Sequence, residues 1–359
     1  MRARLEALAF ERLAGWNEDD HLAALRAFER SARSLVTGRG SARPAQPAPP
    51  ELIASAHAAL RESVLTERGA RLFFETRFRP FHVIPDDGAG FLTGYYEPCI
   101  AASMVETEEF RWPILARPAD LVTFAPAAAP AGFPEGVSGA RRLGDGSLVA
   151  YADRAEIEAE RLDPVVWVRD AVEAFLIQVQ GSAQVEYPDG RRARLAYDGR
   201  NGLPYTSIGR ILIEAGEIAE SAMSLASLKA WLRKDGERGL TLMRRNRSFV
   251  FFELVDDFDP ALGPIAGAGV SLTPLRSIAV DRTVWAYGLP FWIDAELPWV
   301  DETRQAFRRL MIAQDTGSAI VGAARADLFF GSGDVAGARA GAIRHSAEFV
   351  VLLPRRDEP

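Results

Sequence analysis

A chain of 359 residues, 48% of them hydrophobic and 25% charged, has the makeup of a folded globular protein with room for two domains, or for one domain with an insertion. Its formal net charge of −7 argues against a nucleic-acid-binding surface, which would be basic, and its one cysteine, Cys99, excludes an intramolecular disulfide or a thiolate metal cluster. The four histidines (His21, His57, His82 and His345) lie far apart without metal-ligand spacing, so neither a metal nor another cofactor is expected, and no 18-residue apolar run is present to span a membrane.

In chain order, MRARLEALAFERLAGW carries acids early and has no apolar core segment, so it is not a secretory signal as it stands. The expectation is either a cytoplasmic protein or an export signal outside this sequence. Residues 4–14 and 18–36 are predicted helical. In the second, Asn17 is the expected cap, acids fill the first turn, and Leu22, Leu25, Phe28 and Leu35 recur at helical spacing. Residues 37–50, rich in Pro, Gly and Ala, predict a loop, with helices resuming over 51–62 and 66–77. Near residue 80 the character changes: FHVI and FLTGYYEP are predicted strands. A second Pro/Ala/Gly stretch, 124–140, predicts another loop, and Asp153 is placed to cap a short helix running to Glu160.

The stretch 171–205 gives the clearest β pattern. Phe175, Ile177 and Val179 alternate with Leu176, Gln178 and Gln180, which would put both glutamines on one side of a strand. Pro188-Asp189-Gly190 predicts a hairpin turn. Helices are expected over 208–216 and 225–245. SFVFFEL, RSIAVD, LPFWIDAEL, RLMIAQ, RADLFF and EFVVLLP then follow as short strands, with a short helix after Gly333 capped by Ser332 or Asp334. Many short strands with glycine turns and few helices between them predict a mainly β chain with N-terminal helices, and a small barrel rather than a doubly wound sheet.

The most telling stretch is Leu310–Gly341, where two apolar runs bounded by glycines each carry one acid, Asp315 and Asp327. A carboxylate in a buried strand is costly to hold ionised unless it is hydrogen-bonded or its chemistry is used at a cleft. Asp315-Thr316-Gly317 also matches the aspartic-protease triplet, but that signature needs a second copy or a dimer, and no second such triplet occurs. Asp281, at the end of a strand, reads as a turn or salt-bridge residue at least as well as a catalytic one, Asp334 as a helix cap ahead of a catalytic group, and Asp198 as a turn initiator. Gln178 and Gln180 read as solvent-facing strand residues or as sugar-binding ones, and Tyr95, Tyr96 and Glu97 as core and turn residues or as a sugar platform.

The spacing D-x-G-x-A-I-x-G-x-x-R-x-D from Asp315 to Asp327, SIAVD with Asp281, GYYEP, NRSFVFFE and the block FLIQVQGSAQVEYPDGRRARLAYDGRNGLPYTSIGR together resemble the membrane-bound lytic transglycosylase A (MltA) family, whose C-terminal "3D" domain is named for three aspartates. The resemblance runs from about residue 70 to the end. It implies a double-psi β-barrel from residues 1–105 and 238–359, a smaller β domain inserted over 106–237, and a glycan groove between them. It further implies cleavage of the β-1,4 bond between N-acetylmuramic acid and N-acetylglucosamine in peptidoglycan, leaving a 1,6-anhydromuramic end.

Asp327 corresponds to the family's catalytic acid, with Asp315 beside it. Tyr95, Tyr96, Glu97, Gln178, Gln180, Ser182, Asp198, Tyr205 and Asp281 fall in blocks expected to hold substrate. An internal hydroxyl nucleophile removes much of the need for a second catalytic carboxylate. The implied setting is periplasmic, with peptidoglycan strands as partner, no nucleic acid, a monomer, and peripheral outer-membrane association through an anchor outside this chain. A non-catalytic glycan-binding protein on the same scaffold is the alternative.

Overall fold

The computed structural model describes residues 3–38, 41, 43–62, 66–86, 88–124, 129–160 and 162–356. The fold is mixed α+β and divides into two compact units. Residues 1–96, 260–331 and 335–359 make the first, and 97–259 with 332–334 the second. The loops expected over 37–50 and 124–140 lie partly outside the described residues, at 39, 40, 42 and 125–128.

The first unit is organised by a nine-stranded sheet in the order Ala3–Ala7, Phe78–Pro85, Glu348–Pro354, Pro290–Leu297, Gln305–Asp315, Ser277–Val280, Arg325–Ser332, Phe91–Glu97 and Arg344–Ser346. Its two outer strands are short and charged, which discourages pairing with another chain. Among the described ladders of this sheet only Ser277–Val280 with Gln305–Asp315 is parallel. Three helices, His21–Thr37, Pro50–Arg61 and Glu67–Arg77, accompany it. Phe28, Phe73, Phe74 and Phe78 meet edge-on or tilted at 5.5–6.5 Å between ring centres, and Trp16 packs edge-on against Trp292 at 5.2 Å. Such offset aromatic contacts add to the area term of burial. The buried carboxylate of Asp19 accepts two bonds from the buried Arg276 guanidinium, both at 2.8 Å, and one from the Leu310 amide.

The N-terminus departs from expectation. Residues 4–14 are not a helix: Ala3–Ala7 is a strand whose Leu5 pairs with Val83, followed by a single 3-10 turn, Phe10–Arg12. A short helix is marginal alone, whereas a neighbouring strand supplies hydrogen-bond partners at once. The following helix begins at His21, capped by Asp20 accepting from the Ala23 amide at 2.8 Å. Asn17, the expected cap, instead accepts from Arg71.

The second unit contains a four-stranded sheet, Val250–Val255, Arg192–Arg200, Ser182–Glu186 and Cys99–Ala101, along with smaller two- and three-stranded sheets. The expected hairpin forms, turning at Asp189 and Gly190, with Asp189 accepting from the Arg191 amide. The run before it is a different matter. Ala171–Gln180 is a helix, capped by Asp170 accepting from the Glu173 amide at 2.7 Å and closed by Gly181 in the left-handed conformation. Val172, Phe175 and Leu176 pack into one cluster and Ala174 and Ile177 into another. A helix buried on two sides loses its amphipathic stripe and leaves a near-continuous apolar run that imitates a strand.

Candidate active site

Both acids are set by strand Ser277–Val280, which lies between the two strands that carry them. Ala279 is the register partner of Asp327 on one side and of Asp315 on the other. The second pairing depends on an irregularity. Ile278 faces Ala313 but Ala279 faces Asp315, so Gln314 is the extra residue of a bulge. A bulge re-aims every following side chain, since strand side chains alternate faces. Gln314 is thereby turned into the interior, where its amide donates to Ala27 O and to Ser31 Oγ and its oxygen accepts from Ser277 Oγ.

Asp327 retains some open surface and accepts a bond from Thr93 Oγ1 at 2.7 Å through Oδ1. Its carboxyl is pushed above the usual aspartate range by burial, with the charge of Asp315 acting the same way, while the Arg325 charge and the Thr93 bond pull it back. The Arg325 guanidinium does not use its hydrogen bonds on the carboxylate: it donates to Thr93 Oγ1 at 2.7 Å and to the Ala326 carbonyl. Burial also depresses the pKa of this arginine.

Asp315 accepts from the Tyr95 hydroxyl at 3.1 Å and the Gly267 amide at 2.9 Å. Burial, reinforced by the charges of Asp315 and Asp327, holds the Tyr95 phenol well above its ordinary pKa, so it remains a donor. Its ring stacks against Phe329 at 5.3 Å. Gly267 is required by space: a Cβ there would stand 2.6 Å from the Tyr287 hydroxyl and 3.3 Å from Asp315 Oδ1. Tyr287 is buried beside Asp315, and burial followed by that charge raises its pKa as well.

The other expected site residues are distributed differently. Asp281 is buried at a turn, accepting from Thr283 through both amide and hydroxyl and from the Gly322 amide, and it does not join the hydrogen bonds around Asp327. The Tyr96 ring fills the space beside Gly337, where a Cβ would come within 2.7 Å of it. Glu97 is fully buried, so it has no surface to offer a ligand. It is bound by Arg194 Nε at 2.7 Å and Nη2 at 3.1 Å, by Gln184 at 2.9 Å and by Ser332 at 2.7 Å. Ser332 thus serves Glu97, not the helix Asp334–Gly341, in which Asp334 is the first residue and not a cap.

Because 171–180 is helical, Gln178 and Gln180 are about 200° apart around the axis and do not share a face. Gln178 is buried and accepts from the Val250 amide, whereas Gln180 is half-buried at the helix end. Ser182 is buried at the start of its strand. Asp198 lies at the irregularity between Tyr197 and Gly199, its carbonyl accepting from Arg117. Tyr205 is half-buried, and burial raises its pKa against the nearby Arg154.

Neither Thr93 nor Arg325 was given a role at the sequence level, although Arg325 is the arginine of the Asp315–Asp327 pattern and a further signal was present. Thr93 stands two residues before Tyr95, and Arg325 two before Asp327, so on strands each shares a face with a residue already singled out.

Comparison with known proteins places these features in context. Residues 91–253 match the MltA specific insert domain family and residues 276–353 the 3D domain family. A membrane-bound lytic murein transglycosylase from Agrobacterium tumefaciens, known from its crystal structure, is 35% identical, with 98% of each chain covered and a TM-score of 0.89. The crystal structure of Escherichia coli MltA with bound chitohexaose superposes with a TM-score of 0.69 at 25% identity, covering 99% of this chain and 95% of that one. Membrane-bound lytic murein transglycosylase A of Vibrio cholerae serotype O1 is 35% identical over 201 residues, 54% of this chain and 53% of that protein, so the match spans about half the length of this curated relative.

Proposed function

This chain belongs to the membrane-bound lytic transglycosylase A family with a C-terminal 3D domain, and on that premise we propose that it is a lytic transglycosylase of peptidoglycan. The observation that carries the reading is Asp327: a carboxyl held above its usual pKa, bonded by a neutral hydroxyl and not by a cation, with a second acid at the same register. Its relatives are named as lytic murein transglycosylases, and one of them was crystallised with a chitin oligosaccharide.

In the proposed reaction Asp327 starts protonated and gives its proton to the oxygen of the β-1,4 bond between N-acetylmuramic acid and N-acetylglucosamine. The bond from that oxygen to muramic C1 breaks, and the muramic C6 hydroxyl bonds to C1. The Asp327 carboxylate then takes the C6 hydroxyl proton, which restores the acid and leaves a 1,6-anhydro ring. One carboxyl suffices because the nucleophile is part of the substrate. Asp315, fixed by Tyr95 and Gly267, supplies negative charge near the positive charge that develops at C1.

Sugar contacts in the second unit are assigned to the residues with open surface, Gln180, Asp198 and Tyr205, ahead of the buried Glu97, Gln178 and Ser182. The nine-stranded sheet, with its one described parallel pairing, is taken as the double-psi barrel of the family. The site of action is the periplasm, at peptidoglycan strands. Among the described residues no helix is long and apolar enough to cross a membrane. Peripheral outer-membrane association through an anchor outside this chain belongs to the same proposal.

Mass spectrometry of products from purified sacculi tests this. The expected muropeptides end in 1,6-anhydromuramic acid. Reducing ends, one water heavier, would make the protein a hydrolase, and intact sacculi would make it a binding protein. The pH dependence carries a sign. The acid must be protonated, so turnover is lost as pH rises through the Asp327 pKa, and the raised value carries activity to higher pH than an ordinary aspartate would allow. A pH–rate profile whose falling limb lies at or below the ordinary aspartate range would remove Asp327 as the acid.

A further inference from the structure

We propose that Arg325 and Thr93 form a positioning relay that locks the Thr93 hydroxyl as a donor to Asp327 Oδ1 and leaves Oδ2 as the oxygen that gives and retakes the proton. This rests on the reading of Asp327 as the acid and extends it to Arg325, the arginine of the Asp315–Asp327 pattern, and to Thr93, neither of which was given a role from the sequence. The geometry has one solution. A guanidinium has only donors, so the 2.7 Å contact from Arg325 Nη2 occupies a lone pair of Thr93 Oγ1. The single hydroxyl hydrogen is then directed along the other 2.7 Å contact, to Asp327 Oδ1. A proton on Oδ1 facing that hydrogen would collide with it, so the carboxyl proton resides on Oδ2.

Acid catalysis gains twice from this arrangement. The same oxygen acts in both proton transfers, so no carboxyl rotation is needed between them. The interposed hydroxyl also keeps the guanidinium off the carboxylate, where a direct ion pair would favour the anion that cannot start the reaction. The charged and titratable groups facing Asp327 come from three strands: Asp315, Tyr95 and Arg325. Of these, Arg325 is the cation and pulls the Asp327 pKa down, against the push from burial and Asp315.

The test reads Asp327 directly as well as through turnover. Carboxyl 13C NMR, with the Asp327 signal assigned by its loss in Asp327→Asn, gives the titration of this group in the parent, Thr93→Val, Thr93→Ser and Arg325→Met proteins. Thr93→Val is expected to raise the Asp327 pKa, to move the falling limb of the pH profile up with it, and to lower kcat on soluble glycan strands at least about ten-fold with KM within about two-fold. Thr93→Ser keeps the hydroxyl and restores kcat to within about three-fold of the parent. Arg325→Met, which removes both the lock and the charge, raises the pKa too and stands as the test if Thr93→Val does not fold. A folded Thr93→Val or Arg325→Met protein with unchanged Asp327 titration and kcat overturns the relay, as does a folded Thr93→Ser protein as slow as the valine variant. A parent that titrates as described but yields no 1,6-anhydro ends would overturn the proposed reaction and leave the relay standing.

Discussion

Asp327→Asn is expected to lower release of anhydromuropeptides by about a hundred- to ten-thousand-fold, the range that a positioned general acid supplies, in a protein that stays folded. The asparagine keeps an oxygen for the Thr93 hydroxyl but cannot give up a proton. The fold should gain from the change at neutral pH. Because the folded-state pKa of Asp327 is raised, its favourable contribution is fully present below the ordinary aspartate pKa and is lost as pH rises through the raised value. The asparagine fixes the neutral form, so its Tm should equal or exceed that of the parent near pH 7 and converge with it in acid. Melts by circular dichroism at two pH values, run beside the product assay, check both halves. A folded variant with parental turnover would strip Asp327 of its role, and a Tm lowered only at neutral pH would mean that the carboxylate is a stabilising anion.

Glu97→Leu is expected to destabilise the second unit by about 3–5 kcal/mol, the cost of leaving one member of a buried ion pair without the other. Arg194 lies almost wholly inside, gives two bonds to Glu97, and stacks over Phe258 at 4.4 Å. Without the carboxylate Arg194 loses both of these bonds, and Gln184 and Ser332 lose an acceptor. Adding Arg194→Met to the first change should recover much of the loss, since a buried pair replaced by apolar groups is often near neutral. Denaturant unfolding of the parent, single and double variants measures the cycle. A Glu97→Leu protein as stable as the parent but weakened in glycan binding would return this residue to the sugar contact expected from its motif.

Much of the site could be read from the chain because strand alternation and glycine punctuation are local. The runs around Asp315 and Asp327 fold as two strands of one sheet, and Asp153 caps its helix as the pattern requires. What failed depended on distant partners. Ala171–Gln180 has apolar neighbours on two sides, so the periodicity that separates helix from strand is erased. Ala3–Ala7 is a strand because Phe78–Pro85 lies alongside it, a partner some eighty residues on. Asn17, the cap expected from the sequence, lies within the 3-10 turn Trp16–Glu18 and bonds to Arg71, and Asp20 caps the helix in its place. Thr93 and Arg325 received no role because, although Arg325 belongs to the Asp315–Asp327 pattern, the two meet only through adjacent positions in the sheet order.

The pairing of Phe81 with both Ala7 and Val351 has a consequence for biosynthesis. The sheet that presents both acids joins Ala3–Ala7 to Glu348–Pro354 through Phe78–Pro85, so it cannot close on the ribosome until Glu348–Pro354 has emerged. The intervening 97–259 stretch has by then been available to collapse for many seconds at ordinary rates of translation. Closing so long a loop is an entropic cost met late, and the catalytic face therefore matures after the 97–259 stretch has had time to collapse.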